Sequence, residues 1–235
     1  MVQVADGFRR TWIIWELVKV WPPHANSYLS YCKAAKIVQT SIRPIATTIR
    51  HSSHTSFSFA MNKTLQWISA RTIFYPTLWW NMALGRWLKV RNWWDAIDNH
   101  VIVGAFPFDS DVGRLADLGI GGVVNTCEEY CGPVDEYKKY SIEQFRMPTI
   151  DFTHPDFEDV VKAVEFVQHH VDQGKRVYVH CKAGRARSAT VAICWLMKTQ
   201  QISKEAAQAI LLEKRSHINK HLVDRPVVQL SLIHI

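Results

Sequence analysis

The residues best suited to chemistry lie close together in the segment His180-Cys-Lys-Ala-Gly-Arg-Ala-Arg-Ser188. Cys181 can act as a nucleophile, because a thiolate forms covalent intermediates readily. Arg187, six residues later, carries a planar fork that can bind two phosphate oxygens at once, which a lysine cannot do. We therefore expect a nucleophile and an anion clamp on one short segment.

The residues between Cys181 and Arg187 are suited to an anion-binding loop. The small side chains at positions 183, 184 and 186 allow successive backbone N–H groups to point inward, and the N-terminus of a following helix adds partial positive charge. The same field lowers a thiol pKa from roughly 8.5, so we expect a thiolate that accepts a hydrogen bond from the Ser188 hydroxyl. The expected phosphate-binding residues are Lys182, Ala183, Gly184, Arg185, Ala186, Arg187 and Ser188. A structural cysteine beside an ordinary surface loop is the alternative.

Alternating strands and helices must position this segment. The pattern of apolar residues predicts strands at 100–105, 122–125, 144–150 and 176–180, and helices at 80–88, 112–118, 156–171, 187–197 and from 203 onward. Such alternation is typical of an α/β fold with a central, mostly parallel sheet flanked by helices. Ligands of such sheets bind beyond the carboxyl ends of the strands. Strand 176–180 would deliver Cys181 to that edge.

Charge divides the chain into a basic N-terminal extension, residues 1–72, and a catalytic domain, residues 73–235. The 235 residues include 28 Lys or Arg and 21 Asp or Glu, for a net charge of +7. The extension holds nine of the basic residues and two of the acids, which leaves nineteen of each sign in the domain. Because the domain has no excess of positive charge, its composition argues against nucleic-acid binding.

The extension is poor in acids and rich in Ser, Thr, His and Arg. This composition is typical of an organelle targeting peptide, and a disordered basic tail is the alternative. Both Met1 and Met61 are plausible starts of translation. No stretch reaches the roughly 18 apolar residues that span a bilayer, so we expect any membrane contact to be peripheral. Five cysteines without a framework spacing indicate a reducing compartment.

Residues 177–188 resemble the signature segment of the cysteine-based phosphatases, in particular their dual-specificity branch. Within that branch the chain resembles the mitochondrial protein-tyrosine-phosphatase-like family at residues 74–78, 94–98, 101–108, 128–130 and 177–184. The resemblance implies a phosphocysteine intermediate with no metal and no cofactor. It also implies phosphatidylglycerophosphate phosphatase activity, which yields phosphatidylglycerol on the route to cardiolipin. The supporting residues that it implies are His180, Glu128, Glu129 and Tyr130.

A carboxylic acid must protonate the alkoxide that leaves from phosphorus. The family uses an acid on a loop upstream of the cysteine, and the candidates here are Asp151, Asp156, Glu158 and Asp159. The last three lie at the start of predicted helix 156–171, where acids ordinarily stabilise the helix dipole. Asp151 instead follows strand 144–150 directly, thirty residues before Cys181. We therefore expect Asp151 to be the acid, and later the base for the attacking water.

The expected partner is an anionic phospholipid at a membrane surface. Lys182 and Arg185 add positive charge to the loop, which suits a lipid phosphate head group. Six tryptophans between residues 67 and 94 alternate with basic residues, which suits contact with lipid head groups, although core packing is the alternative. The resemblance places the chain in the mitochondrion, peripheral on the matrix side of the inner membrane. Residues 1–60 and 219–235 lack a clear counterpart in the family.

Two other functions remain open at this stage. A protein dual-specificity phosphatase would use the same nucleophile on phosphorylated Ser, Thr or Tyr, and pocket depth and charge would separate it from a lipid phosphatase. A phosphate-binding adaptor without turnover would need neither nucleophile nor acid. The chain retains Cys181, Arg187 and Asp151, which favours an enzyme.

Overall fold

A computed structural model describes residues 76–234, with side chains up to residue 231. The predictions for the extension at 1–72, for the start at Met61 and for residues 74–75 fall outside these described residues.

The core of the domain is a five-stranded sheet that confirms the predicted α/β fold. The strands are β1 Trp94–Ala96, β2 Val101–Gly104, β3 Ile120–Cys127, β4 Glu143–Thr149 and β5 Arg176–His180. Their order is β1-β2-β5-β3-β4, and every pair is parallel except the antiparallel pair of β1 and β2. Strand β5 therefore lies in the middle of the sheet and brings Cys181 to the centre of its carboxyl edge.

Helices cover both faces of the sheet. They are α1 Asp109–Asp117, α2 Val134–Lys139, α3 Phe157–Asp172, α4 Arg187–Gln200, α5 Lys204–Lys214 and α6 Pro226–His234. Alternate residues of β5 point to opposite faces: Val177 and Val179 join the cluster formed with α3 to α6, and Tyr178 joins the cluster formed with α1 and α2. Within the described residues, no helix is long and apolar enough to cross a membrane.

The N-terminal part of the domain is helical from residue 76 to 87, which confirms the predicted helix there. Its last five residues, Ala83–Trp87, form a π-helix that the sequence did not predict. The guanidinium of Arg86 lies over the rings of Trp93 and Phe108, at 4.5 and 4.7 Å from their centres, and pairs with the buried Asp111. These contacts fasten the helical segment beside the sheet.

Some boundaries differ from the prediction because tertiary contacts override local signals. Strand β3 begins at Ile120, two residues before the predicted strand 122–125, so it includes Gly121 as well as Gly122. A side chain at Gly122 would lie 2.5 Å from the ring of His170, so the glycine allows α3 to pack closely. Helix α1 ends at Asp117, and Gly119, two residues later, has a φ of +77°. The short elements β1, α2 and α6 were not predicted.

Candidate active site

Cys181 lies between the end of β5 and the signature loop, which we define as Cys181–Arg187. Strand β5 is fully buried over its last four residues, and the thiol remains only 4% exposed. Its Sγ accepts hydrogen bonds from the backbone N–H of Gly184 at 3.2 Å and from the hydroxyl of Ser188 at 3.3 Å. The loop thus wraps around the sulfur, as the nest predicted from the sequence requires.

The environment of Cys181 favours its thiolate. Burial acts to raise the pKa of the thiol, but the charge of Arg187, the Ser188 hydroxyl and the backbone N–H groups of Ser188 and Arg185 outweigh it. The net effect lowers the pKa of Cys181 from 9.0 to about 7. The thiolate is therefore available near neutral pH, where an ordinary cysteine is mostly protonated. By contrast, burial raises the pKa of the free Cys127 thiol far above its ordinary value.

Arg187 is a buried cation with a fixed direction. Its side chain is 2% exposed, and its Nη1 donates to the Glu129 carboxylate at 2.8 Å and to the Thr149 carbonyl at 2.7 Å. Its Nη2 lies 3.1 Å from the carboxylate of Asp151. Burial acts to lower the pKa of Arg187, but the surrounding anionic groups reverse that effect and raise it. The guanidinium is therefore charged at every working pH.

Asp151 lies two residues after the end of β4, close to the position that the sequence predicted, and its carboxylate reaches the signature loop. It pairs with the ammonium group of Lys182 as well as with Arg187. The backbone N–H of Phe152 donates to the same carboxylate at 3.2 Å, and the backbone N–H of Asp151 donates to Glu129 at 3.2 Å. The expected acid, nucleophile and clamp are therefore assembled in one site.

The other candidate acids lie elsewhere. Asp156 is the N-cap residue of α3, and Glu158 and Asp159 lie in its first turn. Asp156 and Glu158 are exposed, and Asp159 is half-buried. Their positions match the dipole-stabilising role of acids at a helix N-terminus.

The residues at 128–130 contribute unequally. Glu129 orients both Arg187 and the backbone of Asp151. Tyr130 stacks on Phe106 with ring centres 3.6 Å apart and donates from its hydroxyl to the Pro107 carbonyl at 2.6 Å, so it fastens the neighbouring loop. The backbone N–H of Glu128 donates to the Thr149 carbonyl at 3.4 Å. Of the three, Glu129 bonds directly to the clamp.

His180 precedes Cys181 and is completely buried. Its ring lies 5.7 Å from that of Tyr178 and 6.2 Å from that of Tyr130, measured between centres. Burial lowers the pKa of His180 to about 3. The imidazole is therefore neutral and acts in packing at the end of β5.

The two extra cations of the loop have different positions. Lys182 is 5% exposed, and its ammonium group lies 5.4 Å from the ring centre of Phe152. Arg185 turns away, because its Nε donates to the carbonyl of His217 at 2.8 Å. The contribution of Arg185 to the anion site is thus its backbone N–H, whereas the sequence suggested its charge.

The glycine of the loop is required by space as well as by conformation. Gly184 has a φ of +65°, and a side chain there would lie 2.5 Å from the backbone of Gly104 and 2.9 Å from the guanidinium of Arg215. Neither Arg215 nor the Thr149 carbonyl was expected near the site. Among the described residues, no group of three potential metal ligands is found.

Comparison with known proteins shows which protein family the chain resembles. Residues 102–223 match the family described as "Dual specificity phosphatase, catalytic domain". The chain is 38% identical to the Arabidopsis thaliana phosphatidylglycerophosphate phosphatase PTPMT2, over 68% of this chain and 71% of the relative. It is also 38% identical to the Mus musculus "Phosphatidylglycerophosphatase and protein-tyrosine phosphatase 1", over 64% of this chain and 82% of the relative. It spans 46% of the length of a further relative, Arabidopsis thaliana PTPMT1, again at 38% identity.

The chain is also similar to phosphatases of known structure. The crystal structure of PTPMT1 in complex with PI(5)P is 34% identical, covers 60% of this chain and 92% of that chain, and has a TM-score of 0.53. The active form of Tk-PTP is 27% identical, covers 61% and 98% of the two chains, and has a TM-score of 0.55.

Proposed function

The chain belongs to the phosphatidylglycerophosphate phosphatase branch of the dual-specificity phosphatases, which are phosphoric monoester hydrolases, and we propose that its substrate is phosphatidylglycerophosphate. The product would be phosphatidylglycerol, the precursor of cardiolipin. The observation that carries the proposal is the buried pair of cations, Lys182 and Arg187, beside the thiol of Cys181. Two cations match a phosphate dianion, and the relatives named for this lipid support the choice of substrate.

The first step transfers the phosphoryl group to the enzyme. The thiolate of Cys181 attacks phosphorus, an S–P bond forms, and the P–O bond to the glycerol oxygen breaks. Arg187 and the backbone N–H groups of the signature loop bind the other phosphate oxygens. The departing alkoxide takes a proton from Asp151. To do this, Asp151 must first leave Lys182 and Arg187, because the substrate phosphate needs the same two cations, and its carboxylate must then take up a proton from solvent.

The second step hydrolyses the phosphocysteine. Asp151, now ionised, accepts a proton from a water molecule, whose oxygen attacks phosphorus while the S–P bond breaks. The electron pair returns to the sulfur of Cys181, where the Ser188 hydroxyl, 3.3 Å away, stabilises the departing thiolate. Inorganic phosphate is released. We propose that neither metal nor cofactor takes part, because the chain's own residues supply the nucleophile, the positive charge and the proton donor.

Exposed apolar side chains support a substrate embedded in a membrane. Phe152, next to Asp151, is 74% exposed, and Trp80, Trp87, Leu88 and Val90 are also exposed large apolar residues. Aromatic rings of this kind settle at the level of lipid head groups. We propose that the protein binds peripherally to the matrix side of the mitochondrial inner membrane. We also propose that residues 1–72 are the targeting segment and residues 73–235 the catalytic domain.

The substrate proposal is tested by comparing two substrates. We expect faster phosphate release from phosphatidylglycerophosphate in vesicles than from a phosphotyrosine peptide, and none from either with Cys181→Ser. Faster turnover of the peptide would identify a protein phosphatase and overturn the lipid assignment. Activity retained in the serine variant would overturn the mechanism. Binding of both ligands without turnover in the wild type would indicate an adaptor.

The role of Asp151 has its own test. Asp151→Asn should slow an alkyl phosphate far more than an activated aryl phosphate, because an aryl oxide leaves without a proton. An acid usually contributes about 10²–10⁴-fold to such a step. Glu158→Gln, which changes an exposed acid of α3, is the matched control and should leave both rates unchanged. If Asp151→Asn slowed both substrates equally, Asp151 would not be the proton donor.

A further inference from the structure

Within the signature loop, every carbonyl from residue 182 to residue 186 accepts a hydrogen bond from outside the loop. The donors to residues 182 to 185 are, in order, Phe106 N at 3.3 Å, Arg215 Nη2 at 3.2 Å, Arg215 Nε at 2.9 Å and Asn219 N at 2.9 Å. The carbonyl of Ala186 accepts from Thr190 N at 3.0 Å, Thr190 Oγ1 at 2.9 Å and Arg225 Nη1 at 3.3 Å. In a trans peptide the C=O and N–H bonds point in opposite directions. Holding these carbonyls outward therefore aims the N–H groups inward.

Arg215 supplies the donors to two of these five carbonyls from a position far along the chain. It follows α5 directly, thirty-one residues after Gly184, and is 2% exposed. Its Nη1 donates to the Asn92 carbonyl at 3.2 Å and pairs with the carboxylate of Asp95. All three guanidinium nitrogens thus have acceptors, which burial of a charge requires. The side chain is fixed between the sheet edge and the signature loop.

We propose that Arg215 is a positioning residue for the reaction, which acts on Cys181 through two peptide units. Its guanidinium binds the carbonyls of Ala183 and Gly184, and the N–H groups of those same units, on Gly184 and Arg185, bond to Sγ. A cation at the carbonyl end polarises each peptide and strengthens its N–H as a donor. Arg215 therefore stabilises a thiolate that it does not touch.

This inference rests on the proposed role of Cys181 as nucleophile and is independent of the substrate. Its test is therefore the titration of the thiol itself. The rate of alkylation of Cys181 by iodoacetamide is measured from pH 5 to 9 on the full chain. Mass spectrometry of the peptide that contains Cys181 separates it from the other cysteines. The variants are Arg215→Met, which removes charge and donors, and Arg215→Lys, which keeps the charge but cannot bond to both carbonyls.

Arg215→Met should raise the midpoint of the titration by about one pH unit, and Arg215→Lys should raise it less. The control is Leu222→Val, a fully buried residue in the same C-terminal segment, which lowers the melting temperature without contacting the signature loop. Its midpoint should equal that of the wild type. An unchanged midpoint in folded Arg215→Met, or an equal rise in Leu222→Val, would overturn the proposal. If Arg215→Met does not fold, Arg215→Lys replaces it in the test. A raised midpoint of that variant would support the proposal, and an unchanged midpoint would overturn it.

Discussion

Glu129 provides the most direct test of how the clamp is oriented. Its carboxylate is 4% exposed and bonds to Nη1 of Arg187 at 2.8 Å and to the backbone N–H of Asp151 at 3.2 Å. A hydrogen bond to a charged group contributes about 1.5–3 kcal/mol, which corresponds to a factor of about 10–150 in rate. Because Arg187 keeps its bond to the Thr149 carbonyl, we expect Glu129→Ala to lower kcat/KM within that range.

Two comparisons separate orientation from other effects. Glu129→Gln retains one acceptor oxygen without charge and should lower kcat/KM by only about 2- to 10-fold, the value of a neutral hydrogen bond. Glu165→Gln, an exposed acid on α3, should have no effect. The assay measures kcat/KM at pH 7, together with the inhibition constant of inorganic phosphate, which Arg187 binds. The reasoning fails if folded Glu129→Ala retains kcat/KM and phosphate affinity within twofold of the wild type.

Three other predictions follow from the same contacts. As pH increases toward 7, kcat/KM should rise tenfold per pH unit, because Cys181 ionises. Ser188→Ala should shift this rising part of the profile to higher pH. Identical profiles for the variant and the wild type would contradict the role of the hydroxyl. Phe152→Ser should weaken binding to vesicles of anionic lipid in a flotation assay and leave the rate on a soluble aryl phosphate unchanged; equal flotation would exclude membrane contact there. Burial lowers the pKa of His180 to about 3 in the folded chain, so its contribution to stability is present above about pH 6.5 and is lost as pH falls toward 3. Between pH 6.5 and 4.5 this should lower the free energy of unfolding by about 2 kcal/mol, and NMR of the His180 ring should show no titration near pH 6.5.

The sequence identified those parts of the fold that depend on local patterns. Strand β5 was predicted with its exact bounds because a short apolar run ends at a glycine on one side and at the signature loop on the other. Helix α5 was predicted from its cap, and the Ser203 hydroxyl indeed accepts from the N–H of Ala206. The sequence predicted that Asp151, after β4, lies near Cys181, after β5, because parallel strands have their carboxyl ends at the same edge of the sheet.

The remaining features depend on contacts between distant residues. Strand β1 has only three residues and forms because it pairs with β2. The close approach of the His170 ring to Gly122 of β3 is a further contact that no local pattern shows. Arg215 carries no local signal, since its acceptors lie 31 and 123 residues away along the chain. The orientation of the Arg185 side chain could not be predicted either, because it depends on a hydrogen bond to the carbonyl of His217.

The contact of Asp151 with Lys182 and Arg187 makes each turnover an ion exchange. The Glu129 and Asp151 carboxylates together balance the two buried cations between substrates, as their burial requires. In the proposed mechanism an incoming dianion displaces the Asp151 carboxylate. After hydrolysis Asp151 releases the proton that it took from water, and its carboxylate displaces the phosphate produced. A ligand with a single negative charge gains little by such an exchange, so we expect the site to favour monoesters over diesters.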